Sequence, residues 1–310
     1  MQRFQDWMLL ILCNLIWASQ FVMVKLVQQQ MGPVFATFFP MTLAMLILIP
    51  IVRREKKKRA HTTGKMPWQD ILAFMIIGIV GQVVAQLFIT WGSGLSLASN
   101  AALLFLTLPI VTSVMAYLIL GERMTWRRVV SFAFAILGVL ASSGIDIKEL
   151  NFSDKRYLWG NVLIFLSING SAFYNVYSKK LLTRYTPLQV LLYSYYAVVA
   201  FMLPIALYLE PQAFGNLPHF TPTVWLGLFI LAVFQYAISM VIFMHVLARL
   251  DAIQAGLMNY LIPFLGVLIA WLILDEHLSL FMILGGILAL ASTLLATVFE
   301  KDNSGAANIT

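Results

Sequence analysis

Apolar runs of roughly 20 residues recur along almost the whole of this 310-residue chain. Each is about the length an α-helix needs to cross the hydrocarbon layer of a membrane. Ten are readable, at 6–27, 34–52, 68–91, 97–120, 127–144, 158–179, 188–209, 222–246, 251–273 and 280–299. The strict alternation of apolar and polar residues that marks a membrane β-barrel is missing. Only 11% of residues are charged and 61% are hydrophobic, against about 25% charged in an average soluble domain, so a soluble enzyme is excluded. The expectation is an all-α membrane protein with short loops, punctuated by turn signals at Met31–Pro33, Trp91–Ser96 and Leu209–Pro222.

The stretch "YLILGE" at Tyr117–Glu122 has a second copy, "WLILDE", at Trp271–Glu276, an offset of 154 residues. The same offset joins Pro33 to Pro187, Pro50 to Pro204, Pro109 to Pro263 and Lys25 to Lys179 without an insertion. Apolar character is kept position by position between the copies while polar identities drift. The chain therefore divides into two units, 1–152 and 153–300, followed by a polar tail, 301–310, expected to be disordered.

Five spans per unit is an odd number, so the second unit must enter the membrane with opposite polarity: two inverted five-helix repeats. Lys and Arg set the orientation. With both termini cytoplasmic, the run Arg53–Arg59, the turn carrying Arg123, Arg127 and Arg128, and the group Lys179, Lys180 and Arg184 all fall on the cytoplasmic side. Inverted repeats place a substrate site near mid-depth at the repeat interface, where small rearrangements open it alternately to either side. The first apolar segment lacks a small-residue cleavage site and belongs to the repeat, so it is not read as a removable signal.

The motif "NLIWASQFVMVKL" at Asn14–Leu26, the "LILGE" ending and their second-half partners resemble the EamA-type branch of the drug/metabolite transporter superfamily over nearly the whole chain. The resemblance implies a ten-helix inverted-repeat transporter in a bacterial inner membrane, commonly an exporter of amino acids or other small metabolites, with a cavity lined by spans 1, 3, 4, 6, 8 and 9. Drug-like or aromatic and cationic compounds are the alternative cargo. An intramembrane enzyme on lipid-linked substrates is the weakest reading, because no reactive cluster is visible.

Polar groups inside spans must find partners or line a wet cavity. The candidates for substrate contact are Asn14, Trp17 and Phe21 on span 1, Gln82 and Gln86 on span 3, Asn100 on span 4, Tyr174 and Asn175 on span 6, Gln235 and Tyr236 on span 8, and Asn259 on span 9. Interhelical hydrogen bonding is the competing reading for each, and core packing competes for Trp17. Trp7, Trp68, Trp126, Trp159 and Trp225 near helix ends read as interfacial anchors.

Lys25 and Lys179, and Glu122 and Glu276, are the candidates for gating or charge attraction. A lysine near a helix end can instead snorkel to water. Glu122 can serve a re-entry turn, accepting from the next helix or pairing with Arg127 or Arg128, with Thr125 as the N-cap of that helix. No Asp or Glu falls near the middle of a span, which argues against proton antiport through a central carboxylate. The four histidines are scattered and Cys13 stands alone, so neither a metal nor a cofactor is expected. The basic run Arg53–Lys65 reads as a contact with anionic membrane lipid, not nucleic acid. A small-molecule substrate and membrane lipids are the expected partners, with the monomer as the working unit.

Overall fold

The computed structural model describes residues 2–58, 66–96, 107–142 and 155–262, with isolated positions at 104, 105, 265, 284, 287, 288 and 291. Asn100, Glu276, most of the ninth and tenth spans and the tail lie outside the described residues, as do the side chains of Phe21, Lys25 and Arg127. Every regular element among the described residues is a helix. In chain order the main ones are α1 (Gln2–Val27), α2 (Pro33–Lys58), α3 (Trp68–Leu95), α4 (Leu108–Leu120), α5 (Trp126–Ser142), α6 (Lys155–Leu181), α7 (Pro187–Leu209), α8 (Pro222–Leu247) and α9, which opens as Ala252–Leu257 and tightens into a 3₁₀ turn at Met258–Tyr260; a short helix, Pro211–Gly215, and a 3₁₀ turn, Leu217–His219, join α7 to α8. Five of them are long and apolar enough to cross a membrane: Phe4–Val24, Pro33–Lys57, Trp68–Leu95, Pro187–Leu209 and Pro222–Leu247.

Contacts between helix termini fix the direction of each helix. At one end of the bundle Arg249 after α8 pairs with Asp6 of α1 at 2.8 Å, Arg128 of α5 pairs with Asp251 before α9 at 2.9 Å, and Arg184 after α6 pairs with Asp70 of α3 at 3.2 Å. The basic C-terminus of α2 lies at this end too, where Glu55 accepts from Thr186 Oγ1 at 3.0 Å. At the opposite end Glu210, following α7, accepts from the amides of Val34 and Phe35 at the start of α2. There Gln30 also accepts from the amide of Thr221, and Gln28 donates to the carbonyl of Thr90. Consecutive helices thus alternate in direction, and α1 and α6 run oppositely.

Helix ends are satisfied locally where the sequence allows. Thr186 and Gln189 form a reciprocal capping box on α7. At the end of α4, Gly121 takes φ 70°, and the amides of Gly121 and Glu122 return to the carbonyls of Tyr117 and Ala116. This left-handed cap is what the glycine of "LILGE" provides. Thr125 accepts from the amide of Arg128 at 3.3 Å and caps α5, as expected.

Several expectations need correction. The helix of α2 continues to Lys58, so much of the basic run is helical, not loop: straight-chain Lys, Arg and Glu are good helix formers. The helix of α3 passes through Trp91–Leu95, because packing on α6 favours its glycines there. A Cβ on Gly92 would stand 2.9 Å from the carbonyl of Gly160, and one on Gly170 2.8 Å from the amide of Ala85. Small residues let the two backbones approach. Trp7 is not an interfacial anchor but is buried in the apolar core, next to the Asp6–Arg249 pair that pins the start of α1 to the end of α8. Trp68, Trp126 and Trp159 are exposed.

The middle of α3, Ile77–Val83, is π-helical, and so is the middle of α8, Leu231–Ile238. Their first residues stand 154 apart. A π turn is an insertion strained relative to the α-helix, and such turns concentrate at functional sites.

Candidate substrate cavity

A cavity of about 90 Å³ lies between α1, α3, α4, α6, α8 and α9, and none of its described lining residues is charged. Most of the lining falls into pairs 154 apart: Trp17 with Ser171, Gln20 with Tyr174, Gln82 with Tyr236, Gln86 with Met240, Ile89 with Phe243, Phe105 with Asn259 and Leu108 with Ile262. The two π segments deliver Gln82, Gln235 and Tyr236 into it.

Side chains around the cavity hold one another in place. Trp17 donates from Nε1 to Ser239 Oγ at 2.9 Å, and Ser239 donates to the carbonyl of Gln235. The Trp17 ring lies 5.1 Å from that of Phe243 at 60°. Gln235 donates to Gln20 Oε1 at 2.9 Å, and Gln20 donates to Gln86 Oε1 at 3.1 Å, where the Tyr236 hydroxyl also approaches at 3.4 Å. Tyr195 donates to the carbonyl of Tyr236 at 2.7 Å, giving a π-segment carbonyl a side-chain partner. The Tyr174 hydroxyl meets Ser194 Oγ at 3.4 Å. Two acceptors, Gln235 Oε1 and Asn259 Oδ1, are buried without a partner. An unmatched buried amide oxygen costs about 1–3 kcal/mol, and a ligand carrying N–H donors relieves that cost.

Eight of the proposed contact residues line this one space: Trp17, Gln82, Gln86, Tyr174, Asn175, Gln235, Tyr236 and Asn259. Asn14 is not among them. It is fully buried and turns its amide back along its own helix, donating to the carbonyl of Leu10 at 2.8 Å. Gln20, absent from the candidate residues, was reachable through the repeat as the offset partner of Tyr174; Phe243 was not, because its partner Ile89 is apolar and was no candidate either. Asn169, also on α6, is not among the lining residues and donates to the carbonyl of Phe165 at 2.8 Å.

The candidate gating groups occupy the basic end. Lys179 does not snorkel to water; its Nζ donates to the carbonyls of Leu247, at 2.8 Å, and Leu250, at 2.5 Å. Leu247 ends α8, where carbonyls lack helical partners, and Leu250 lies in the connection to α9. Glu122 does not serve the next helix or pair with Arg128, and the side chain of Arg127 lies outside the described residues. It accepts from the amides of Ala252 at 2.8 Å and Ile253 at 3.0 Å, the first turn of α9, where the helix dipole favours an anion. Burial raises the Glu122 carboxyl above its usual value, opposed by those two amides. Arg128 instead reaches Asp251 and the carbonyl of Arg123. One lysine and one glutamate from α6 and the α4–α5 turn therefore grip both sides of the α8–α9 connection.

The model of the EamA-like transporter family matches residues 7–144 and again 158–298. The chain belongs to the EamA-like transporter family. It is accordingly an integral membrane protein with a transporter's fold. This EamA-like transporter is similar to a Streptantibioticus cattleyicolor protein named "Probable terminal-alkyne amino-acid exporter", 27% identical over 92% of this chain and 91% of that one. It is also similar to a transporter of Archaeoglobus fulgidus, 25% identical over 95% of this chain and 98% of the other. A crystal structure, 17% identical, superposes with a TM-score of 0.76 over 95% of this EamA-like chain and 96% of its own, which supports the fold.

Proposed function

We propose that this transporter moves small polar metabolites, amino acids foremost, across a bacterial inner membrane by alternating access, as a secondary exporter or facilitator. The observation that carries the reading is the pairing of cavity residues at the 154 offset: one uncharged polar and aromatic space to which both halves contribute equivalent positions. Such pairing is what ten helices in two inverted repeats, 1–152 and 153–300, produce around a mid-membrane site.

The cavity's chemistry favours a zwitterion. Gln235 Oε1 and Asn259 Oδ1 await donors such as an ammonium group, while Tyr174 and Asn175 can serve a carboxylate. With no acid among the described lining residues, a hydrophobic cation finds no counter-charge there. The named amino-acid exporter among the relatives agrees with this class of cargo.

Lys179 and Glu122 act in this scheme as the latch of the basic, cytoplasmic end, and Lys25 and Glu276, their partners by offset, as the latch of the other. Both termini are cytoplasmic, and the monomer is the working unit. Counterflow of radiolabelled amino acids into proteoliposomes tests the function: accumulation of unmodified label is expected. Conversion of the label, or no counterflow across a panel of small zwitterions, would sink it.

A further inference from the structure

A second hollow lies on the outside of the bundle, between α3 and α7, with a volume of about 520 Å³. That is within the range of ligand pockets, about 300–1,000 Å³. Its walls are apolar and face outward: Ile71, Met75 and Ile79 from α3, and Tyr196, Ala200 and Phe201 from α7. The floor closes where the helices touch, since a Cβ on Gly78 would stand 2.6 Å from that of Ala197 and 2.7 Å from the carbonyl of Ser194. The result is a lengthwise trough in the lipid-facing surface.

The mouth of the trough, at the basic end, has a different chemistry. Lys56 holds its Nζ 5.1 Å from the ring centre of Tyr193, which lines the trough. The ring of Phe74 meets those of Tyr185 and Tyr193 edge-on at 5.0 Å each. Asp70 is buried and engaged twice, by Tyr185 at 2.6 Å and by Arg184 at 3.2 Å, while the Arg184 side chain remains 69% exposed. Glu55 is engaged by Thr186. The acids here are thus already bound, whereas Lys56 and Arg184 present outward charge, backed by Arg53, Arg54 and Lys57 on the same end of α2.

We propose that this trough is a specific site for an anionic glycerophospholipid, with one acyl chain between α3 and α7 and the phosphate between Lys56 and Arg184. Basic pockets between helices at the cytoplasmic surface hold anionic head groups in this way, each cation contributing about 1 kcal/mol. A phosphate is the anion suited to it, because guanidinium and ammonium donors can converge on its oxygens. The bound chain rests on Ile79, within the π segment whose next turn carries Gln82 into the central cavity. Occupancy of the trough thereby supports the wall of the transport site.

Native mass spectrometry of the full chain in detergent tests this, using phosphatidylglycerol and phosphatidylcholine with identical acyl chains. Expected is retention of one phosphatidylglycerol, about 30-fold favoured over phosphatidylcholine, which is two cations at about 1 kcal/mol each converted at 1.4 kcal/mol per factor of ten. Lys56→Gln with Arg184→Gln should remove the preference; Tyr185 still satisfies Asp70 in that variant. Ala200→Trp, at an exposed wall position, should fill the trough and reduce retention of both lipids. Equal retention of the two lipids by the wild type would mean ordinary boundary lipid and overturn the proposal. So would a preference surviving the double substitution, retention unaffected by Ala200→Trp, or a second protomer in place of lipid.

Discussion

Replacing Glu122 by Ala should open the cavity toward the basic end. The carboxylate holds two amides of α9, at 2.8 and 3.0 Å, and in its absence both lose a charged partner. An unpaired buried N–H costs about 1–3 kcal/mol; Ala252 and Ile253 are buried but Glu122 is half-buried, so water can partly replace its carboxylate, and about 2–3 kcal/mol in all follows for the closed arrangement. If the open arrangement lacks these bonds, the closed-to-open ratio falls by roughly 30- to 150-fold, at 1.4 kcal/mol per factor of ten. Glu122→Gln keeps one acceptor oxygen and should give an intermediate shift. The assay is labelling of a cysteine placed at Ser171, in the cavity, by an impermeant maleimide applied from the basic end in a Cys13→Ala background. A rise of at least about tenfold is expected for Glu122→Ala. An unchanged rate in a well-inserted protein would refute the latch and leave Glu122 a purely static helix cap.

Lys179→Met strips two partners from the end of α8 and should raise the same labelling rate in the same direction. Gly92→Val forces side-chain atoms against Gly160 and Ile164 and should lower stability by about 1–3 kcal/mol through overpacking, read as an earlier thermal unfolding transition in detergent. Gln20→Ala breaks the link between Gln235 and Gln86 and should raise KM several-fold with little change in expression. Because the cavity lining holds no titratable carboxylate, counterflow should persist when the proton gradient is collapsed and the substrate gradient kept; strict dependence on a pH gradient would contradict that.

The helices were legible because a bilayer demands about 20 apolar residues per span, and the observed helices follow those runs closely. The cavity was legible wherever polar side chains interrupt them, as at Gln82, Gln86, Tyr174 and Gln235. Less legible were positions whose chemistry is ordinary for a membrane helix: Ile89, Phe105, Leu108 and Ile262 line the cavity as apolar residues, and of these the 154 offset ties only Phe105 to a candidate, Asn259. Asn14 misled because an amide nitrogen can bond back along its own helix, as that of Asn14 does to the carbonyl of Leu10. Glu122 was read with its neighbours in sequence, whereas its partners lie 130 and 131 residues away, a pairing that only the closed bundle creates. The π segments have no local sequence mark: "IGIVGQV" and "LAVFQYAI" read as ordinary helix.

The most direct test of the central claim, that the paired cavity is the substrate site, is counterflow by Trp17→Ala and Asn175→Ala proteins with matched insertion into liposomes. Both side chains line the cavity, and Asn175 is an amide better explained by a ligand than by the fold, so each variant should lose most of its transport while unfolding close to the wild-type temperature. If both carry labelled amino acid at the wild-type rate, the polar cavity is interhelical hydrogen bonding and the substrate passes elsewhere.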